Sequence, residues 1–478
     1  MLFHTPNFLI FMVLLLLPFY LWRKGRIGLL AVANIVFYGA GGLGMLLLFM
    51  AVTTATFVCI RLMRRRGSGW LFWAGVAVNV GNLAFFKYAL MLLGTAEALL
   101  GFPLSVTPLV TKWLTAESGE ILMITGISFY TFQLLSYLID VRRGAIEPTS
   151  SLVRFWVYVA LFPQLIAGPI MRGGELMPQI EDLPDKRVRW EDIRFGIQLI
   201  FIGLIKKVIL ADSLDNIVAP LFAESPSLTP EQAWIAAYLF GFQIYFDFSA
   251  YSDMAMGLGR MIGIRMVLNF DTPYLSASPS EFWKRWHISL SRWIRDYIYI
   301  GLGGNRKGAL RTHVNLMAAM LISGLWHGAM WHFVAWGAVH GALLIVHKWT
   351  LKLNRFGLVE RMRSRLWYRM LAIAAFFHIV AWTWVFFRAE SIGAALDMTQ
   401  KMVRADPAAL FSHALMPLVA GLFALHIFEY AIRHHEALSA RIWHFVPAPL
   451  RGAVYAALVF VVFYFMKGET YEFIYFQF

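Results

Sequence analysis

The chain has 478 residues, 59% of them hydrophobic and 15% charged, with a formal net charge of +14. Its mean hydropathy is +0.62. That much apolar surface excludes a soluble domain and points to a polytopic membrane protein.

In chain order, apolar runs predict spans over Leu9–Trp22, Ile27–Tyr38, Met45–Leu62, Trp70–Leu93, Ile121–Asp140, Leu152–Ile170, Ile193–Leu210, Ala233–Leu258, Val314–Leu325, Phe333–Val346, Leu371–Phe387, Leu415–Ile432 and Val454–Phe465. Several are shorter than the ~20 residues of a simple helical span, so re-entrant or tilted segments are expected among them. The fold class is all-α, with about eleven true spans. The first run has no preceding positive charge and no small-residue cleavage site after it. It reads as an uncleaved span with its N-terminus outside. Arg23, Lys24 and Arg26, then Arg61 and Arg64–Arg66, then Arg142 and Arg143 fall inside on alternation, and the Gly39–Gly44 turn falls outside. The basic charge sits in loops beside apolar runs, where orientation and anionic lipid account for it and nucleic acid is not implied. The one cysteine, Cys59, excludes an intramolecular disulfide and a cysteine metal cluster. No internal repeat and no separable soluble domain is visible, so residues 1–478 read as a single integral-membrane domain.

Three polar regions interrupt the pattern. Arg172–Trp190 carries both charge signs and reads as a cytoplasmic loop; Asp271–Thr312 mixes charges with aromatics; Lys348–Arg369 interleaves cations with Leu, Phe and Trp. The last mixture fits an amphipathic helix in the interface plane.

His327 is the most informative residue. It lies in Gly324-Leu-Trp-His327-Gly328, inside a stretch from Val314 to His347 without Asp, Glu, Lys or Arg. An imidazole in such a setting is a functional-site candidate by default, and it is the side chain suited to moving a proton near neutrality. A second Trp-His pair, Trp286-His287, lies in the dense segment Glu281–Tyr297. On a continuous helix His287 and Ser291 would share a face and could hydrogen-bond. The competing reading is an interfacial helix with solvated charges.

A metal site is not favoured. His327 and His332 are roughly 140° apart on one helix, and no carboxylate lies in the run. His340 and His347 share a face and read as packing or headgroup contacts. Asp247 and Asp253 place two carboxylates in a strongly apolar span, where unpaired charge is expensive. Arg260, Lys206, Lys207 and Arg285 are their candidate partners, and the pair reads as polar bracing that shapes a cavity. The loop Gly301–Gly308 lacks phosphate-loop spacing and reads as a turn at headgroup level.

Taken together, Trp283-Lys-Arg-Trp-His287-Ile-Ser-Leu-Ser-Arg-Trp293, Arg295-Asp-Tyr-Ile-Tyr299, Gly303-Gly-Asn-Arg306 and Gly324-Leu-Trp-His327-Gly328 resemble the membrane-bound O-acyltransferase (MBOAT) family. Phe162-Pro-Gln-Leu-Ile-Ala-Gly-Pro169 and Tyr245-Phe-Asp-Phe-Ser-Ala-Tyr-Ser-Asp253 extend the likeness over most of the chain. The bacterial branch that acylates exported polymers such as alginate is the most similar. The resemblance implies helices arranged around a tunnel, with His327 at its midpoint and His287 as the second histidine. Trp286, Trp326, Ser291, Asn305, Asp247 and Asp253 would bind substrate or line the tunnel. It further implies the bacterial inner membrane, no bound cofactor, acetyl-CoA or another acyl thioester as donor, a periplasmic SGNH-type partner and a polysaccharide synthesis and export complex. His327 would act as general base on the attacking hydroxyl, worth ~10²–10⁴-fold. His287 would orient substrate, help the thiolate leave or stabilise the oxyanion. The aromatic ending Tyr471–Phe478 offers Tyr475 as an acyl relay, against the simpler reading of an interfacial anchor. The rival class is a transporter or proton channel that uses the buried His and Asp side chains.

Overall fold

Without water to satisfy backbone N–H and C=O groups, an apolar chain in a bilayer must form helices or closed barrels. The computed structural model takes the helical solution, with no β-strand among the described residues, which are 3, 5–115, 124–353, 365–434, 445–465 and 473–474. Four of the described helices are long and apolar enough to cross a membrane: Leu43–Arg65, Gly69–Leu100, Leu366–Arg388 and Met416–His434. The chain divides into two compact units, Met1–Phe201 with Tyr251–Val267, and Ile202–Ala250 with Leu268–Phe478.

The first unit contains α1 (Pro6–Leu21), α2 (Arg26–Gly39), α3 (Leu43–Arg66), α4 (Gly69–Leu83), α5 (Ala89–Leu100), α6 (Thr107–Leu114), α7 (Ile127–Arg142), α8 (Leu152–Ala160), α9 (Phe162–Leu165), α10 (Gly173–Glu181) and most of α11 (Trp190–Leu204). A π turn, Ala84–Tyr88, joins α4 to α5 without a break. The single span expected over Leu152–Ile170 is instead interrupted between α8 and α9. Leu161 leaves helical geometry at ψ 107°, and the Asn34 amide oxygen accepts the Phe162 N–H at 3.0 Å in place of a helical carbonyl. Arg26, expected in a cytoplasmic charge cluster, is buried. Its guanidinium donates to the carbonyls of Phe19, Leu183 and Lys186.

The second unit begins with a π turn at Ile205–Ala211 and α12 (Asp212–Ala223). The long helix α13 (Pro230–Met261) contributes residues 230–250 here and the rest to the first unit. The polar region Asp271–Thr312 is not one amphipathic helix. It folds as α14 (Pro279–Arg285), α15 (Ile288–Trp293) and a π turn, Ile294–Tyr299. Ser278 starts α14 by accepting the Glu281 N–H, while Glu281 accepts the Ala277 N–H. That reciprocal cap holds the helix start in place. Then come α16 (Gly308–His327), α17 (Trp331–Leu353), α18 (Leu366–Arg388), α19 (Ile392–Val403), α20 (Pro407–Ser412), α21 (Met416–His434) and α22 (Ala448–Phe465). The interfacial helix expected over Lys348–Arg369 falls largely outside the described residues.

Candidate functional site

Helices α16 and α17 form a tight hairpin, and two glycines make it possible. A Cβ on Gly324 would lie 2.2 Å from the Phe333 carbonyl oxygen, and one on Gly337 would lie 2.3 Å from that of Met320. Only backbone fits at that crossing. The hairpin sets His327 as the last residue of α16, buried to 2% exposure. Its ring sits edge-on to Trp326 and Trp336, each 5.1 Å between centroids, and 5.2 Å from Phe387 of α18. His332 and His340, two other histidines of this run, turn to α18. His332 meets the Phe386 carbonyl at 3.0 Å and His340 meets the Thr383 hydroxyl at 3.1 Å. That is the packing role expected for His340.

His287 is held differently. It ends the link between α14 and α15 with φ +42°, a left-handed conformation that only it and Thr272 adopt among the described non-glycine residues. Such a conformation costs about 1–3 kcal/mol and persists where the surroundings impose it. Here an extended return segment imposes it. The Asp271 N–H donates to the Arg285 carbonyl, and the Ile288 N–H donates to the Asn269 carbonyl, both at 2.9 Å. The His287 Nδ1 lies 3.1 Å from the Asn269 amide oxygen. The same oxygen accepts the Ser289 N–H at 3.2 Å and the Ser289 hydroxyl at 2.9 Å. The ring is fully buried, edge-on to Phe248 at 4.6 Å and to Trp326 at 5.6 Å.

The two histidine rings therefore meet, 6.4 Å between centroids, inside an aromatic enclosure. Trp286 is completely buried against Trp384 at 4.8 Å. Its indole N–H, that of Trp336 and the Nε2 of His287 have no hydrogen-bond partner among the described residues. Buried polar atoms are normally paired, so these three are suited to meet a ligand.

Other expected site residues are placed as follows. Ser291 does not bond the His287 side chain; its hydroxyl donates to the Trp286 carbonyl at 3.1 Å and its N–H to the His287 carbonyl at 2.9 Å. The reason is that helix α15 starts only after His287, so the two side chains do not share a helical face. Asn305 is exposed in the turn at 301–307, and Asn315 is the buried amide there, donating to the Gly304 carbonyl at 2.9 Å. Asp253 is buried in the first unit. Asp247 pairs with Lys207 at 2.8 Å, and Lys207 also reaches Asp212 at 2.8 Å. The three remaining candidate cations go elsewhere: Lys206 to Glu429, Arg260 to Asp192, and Arg285 to Glu281. Tyr475 lies outside the described residues.

One feature of the site, Asn269, carried no sequence signal. The aromatic ending was singled out in the sequence, but not its partners: the Ile474 N–H donates to Asp247 at 2.8 Å, and the Phe473 ring is buried 5.6 Å from Phe248. Phe248 is thus in contact with both His287 and the chain's last described residues. Among the described residues no group of three or more His, Cys, Asp or Glu side chains could hold a metal ion.

The model of the MBOAT, membrane-bound O-acyltransferase family, matches residues 33–386. The chain is 40% identical over 409 residues to a probable alginate O-acetylase, AlgI, of Azotobacter vinelandii, covering 84% of this chain and 78% of the relative. It is 35% identical over 403 residues to the peptidoglycan O-acetyltransferase of Helicobacter pylori, covering 78% and 73%. It is 27% identical over 274 residues to the teichoic acid D-alanyltransferase of Bacillus subtilis, covering 55% and 68%.

Proposed function

Because the chain belongs to the membrane-bound O-acyltransferase family, we propose that it is an O-acetyltransferase that serves an exported polysaccharide such as alginate. Family membership also decides against the transporter reading. The observation that carries the proposal is the meeting of the His287 and His327 rings in a buried aromatic enclosure. A thioester is already activated, so the protein's task is to remove a proton from the attacking hydroxyl and to meet the charge that forms. The histidine pair has the right chemistry for both. Exclusion of bulk water protects the thioester from hydrolysis.

The donor in this proposal is acetyl-CoA or another cytoplasmic acyl thioester, with no bound cofactor. The chain acts as one domain over residues 1–478 in the bacterial inner membrane, with about eleven spans around a tunnel. A periplasmic SGNH-type partner and a polysaccharide synthesis and export complex receive the acyl group. Tyr475 relays it; this reading is supported by the burial of Phe473 and Ile474, next to Phe248 and Asp247.

Purified protein supplied with labelled acetyl-CoA tests the proposal. The parent transfers or hydrolyses the acetyl group, and His327→Ala loses at least ~10²-fold of that rate while still inserting. Full activity in the variant would sink the assignment.

A further inference from the structure

A cleft of about 700 Å³ opens in the first unit, between the end of α5, the loop at 103–104 and α6. Glu97, Thr107, Thr111, Lys112 and Thr115 supply its polar lining. Glu97 is built into the wall. Its Oε1 accepts the Leu104 N–H at 2.8 Å and the Thr107 hydroxyl at 2.6 Å. Its Oε2 accepts no hydrogen bond from the described residues, and Lys112 has no ion-pair partner among them. The cleft therefore offers one negative and one positive group, with threonine hydroxyls beside them.

The depth of these two charges follows from helix geometry. Glu97 stands 28 positions beyond Gly69 in the helical run Gly69–Leu100. At 1.5 Å per residue that is roughly 42 Å. The hydrocarbon core of a bilayer is ~30 Å thick, and ~40–45 Å with its headgroup layers. Glu97 thus lies in the headgroup layer opposite Arg64–Arg66. Helix α6 then turns back along the same run, since Trp113 packs 6.4 Å from Phe85. Phe85 precedes Glu97 by 12 positions, roughly 18 Å of helix. Lys112, next to Trp113, is accordingly nearer the hydrocarbon than Glu97 is. Leu99, Phe102 and Trp113 around the cleft are each more than half exposed, as suits contact with acyl chains.

We propose that this cleft holds the headgroup of a phospholipid with a primary amine, phosphatidylethanolamine. The ammonium donates to Glu97 Oε2, and the phosphate accepts from Lys112 and the Thr111 hydroxyl, both charge-assisted contacts. In such a lipid the phosphate adjoins the glycerol and the amine lies beyond it. Lys112 and Glu97 are met in that same order on leaving the hydrocarbon. An acidic polysaccharide arriving from water would meet the Glu97 carboxylate first and be repelled, and no aromatic ring among the described residues lines the cleft for a sugar to stack on. Phosphatidylglycerol would leave Glu97 without a cation, and the trimethylammonium of phosphatidylcholine has no N–H to donate.

Native mass spectrometry of the full chain released from micelles tests this, with the dioleoyl forms of the three lipids supplied in equal amounts. The parent retains phosphatidylethanolamine at least about threefold over either of the others. Glu97→Gln keeps one oxygen for the Leu104 N–H and the Thr107 hydroxyl, so the loop is held, but the negative charge is gone and the preference falls to about one. Lys112→Gln, at an exposed position, weakens retention of phosphatidylethanolamine by a similar factor. A parent that does not discriminate among the three lipids overturns the proposal, as does Glu97→Gln with the parental preference or Lys112→Gln with parental retention. An acidic oligosaccharide that the parent retains and Lys112→Gln does not would overturn it in favour of a polymer site.

Discussion

At the residue scale, a buried histidine is legible in sequence when its neighbours carry no charge, and His327 met that condition. His287 was legible through its tryptophan neighbour. Asn269 was not, because a neutral amide between Leu268 and Phe270 has no pattern that distinguishes it from a packed core position. Nor could sequence choose the partner of Asp247 from four cations; the π turn at Ile205–Ala211 aims Lys207 at it and sends adjacent Lys206 to Glu429. Asp247→Ala removes one of the two carboxylates that pair with Lys207 and leaves Asp212. Breaking a buried pair costs up to about 3–5 kcal/mol, so the unfolding midpoint in detergent falls clearly below that of the parent. An unchanged midpoint would show that Asp212 suffices. Tyr475→Phe removes only a hydroxyl. If that hydroxyl relays the acyl group, the variant still turns over thioester but delivers no acetyl to polymer, and intact delivery would remove the relay.

At the element scale, most apolar runs became helices, and the breaks have specific tertiary causes. The run from Leu152 to Ile170 breaks where Asn34 captures the Phe162 N–H. The segment from Asp271 to Thr312 breaks at His287, where pairing with the return segment at 269–271 forces a left-handed residue. Hydropathy records neither event, since both depend on partners far away in sequence. The α16–α17 hairpin depends on Gly324 and Gly337, so Gly337→Ala should force the helices apart against the Met320 carbonyl. Overpacking of this kind costs about 1–3 kcal/mol. Because the same hairpin carries His327 and Trp336, activity should fall further than the folded fraction does. Equal losses of the two, measured on purified protein, would show that the crossing serves stability alone.

At the scale of the whole molecule, the apolar outer surface answers to lipid rather than to a core. Helix α1 exposes Ile10, Val13, Leu14, Leu17 and Leu21, each more than half accessible, while Phe8, Phe11, Leu15 and Phe19 of the same helix are buried. This is why composition alone placed the chain in a membrane, and why it said nothing about the enclosed site. The enclosure also has a schedule. Asp247 and Ile474 are separated by 227 positions, which the ribosome needs about 10–45 s to bridge at roughly 5–20 residues per second. For that interval a nascent chain holds Asp247 with no Ile474 to receive, and Lys207 is the cation available to steady it. Translation intermediates arrested before residue 473 would therefore carry both histidines and still have an unfinished site.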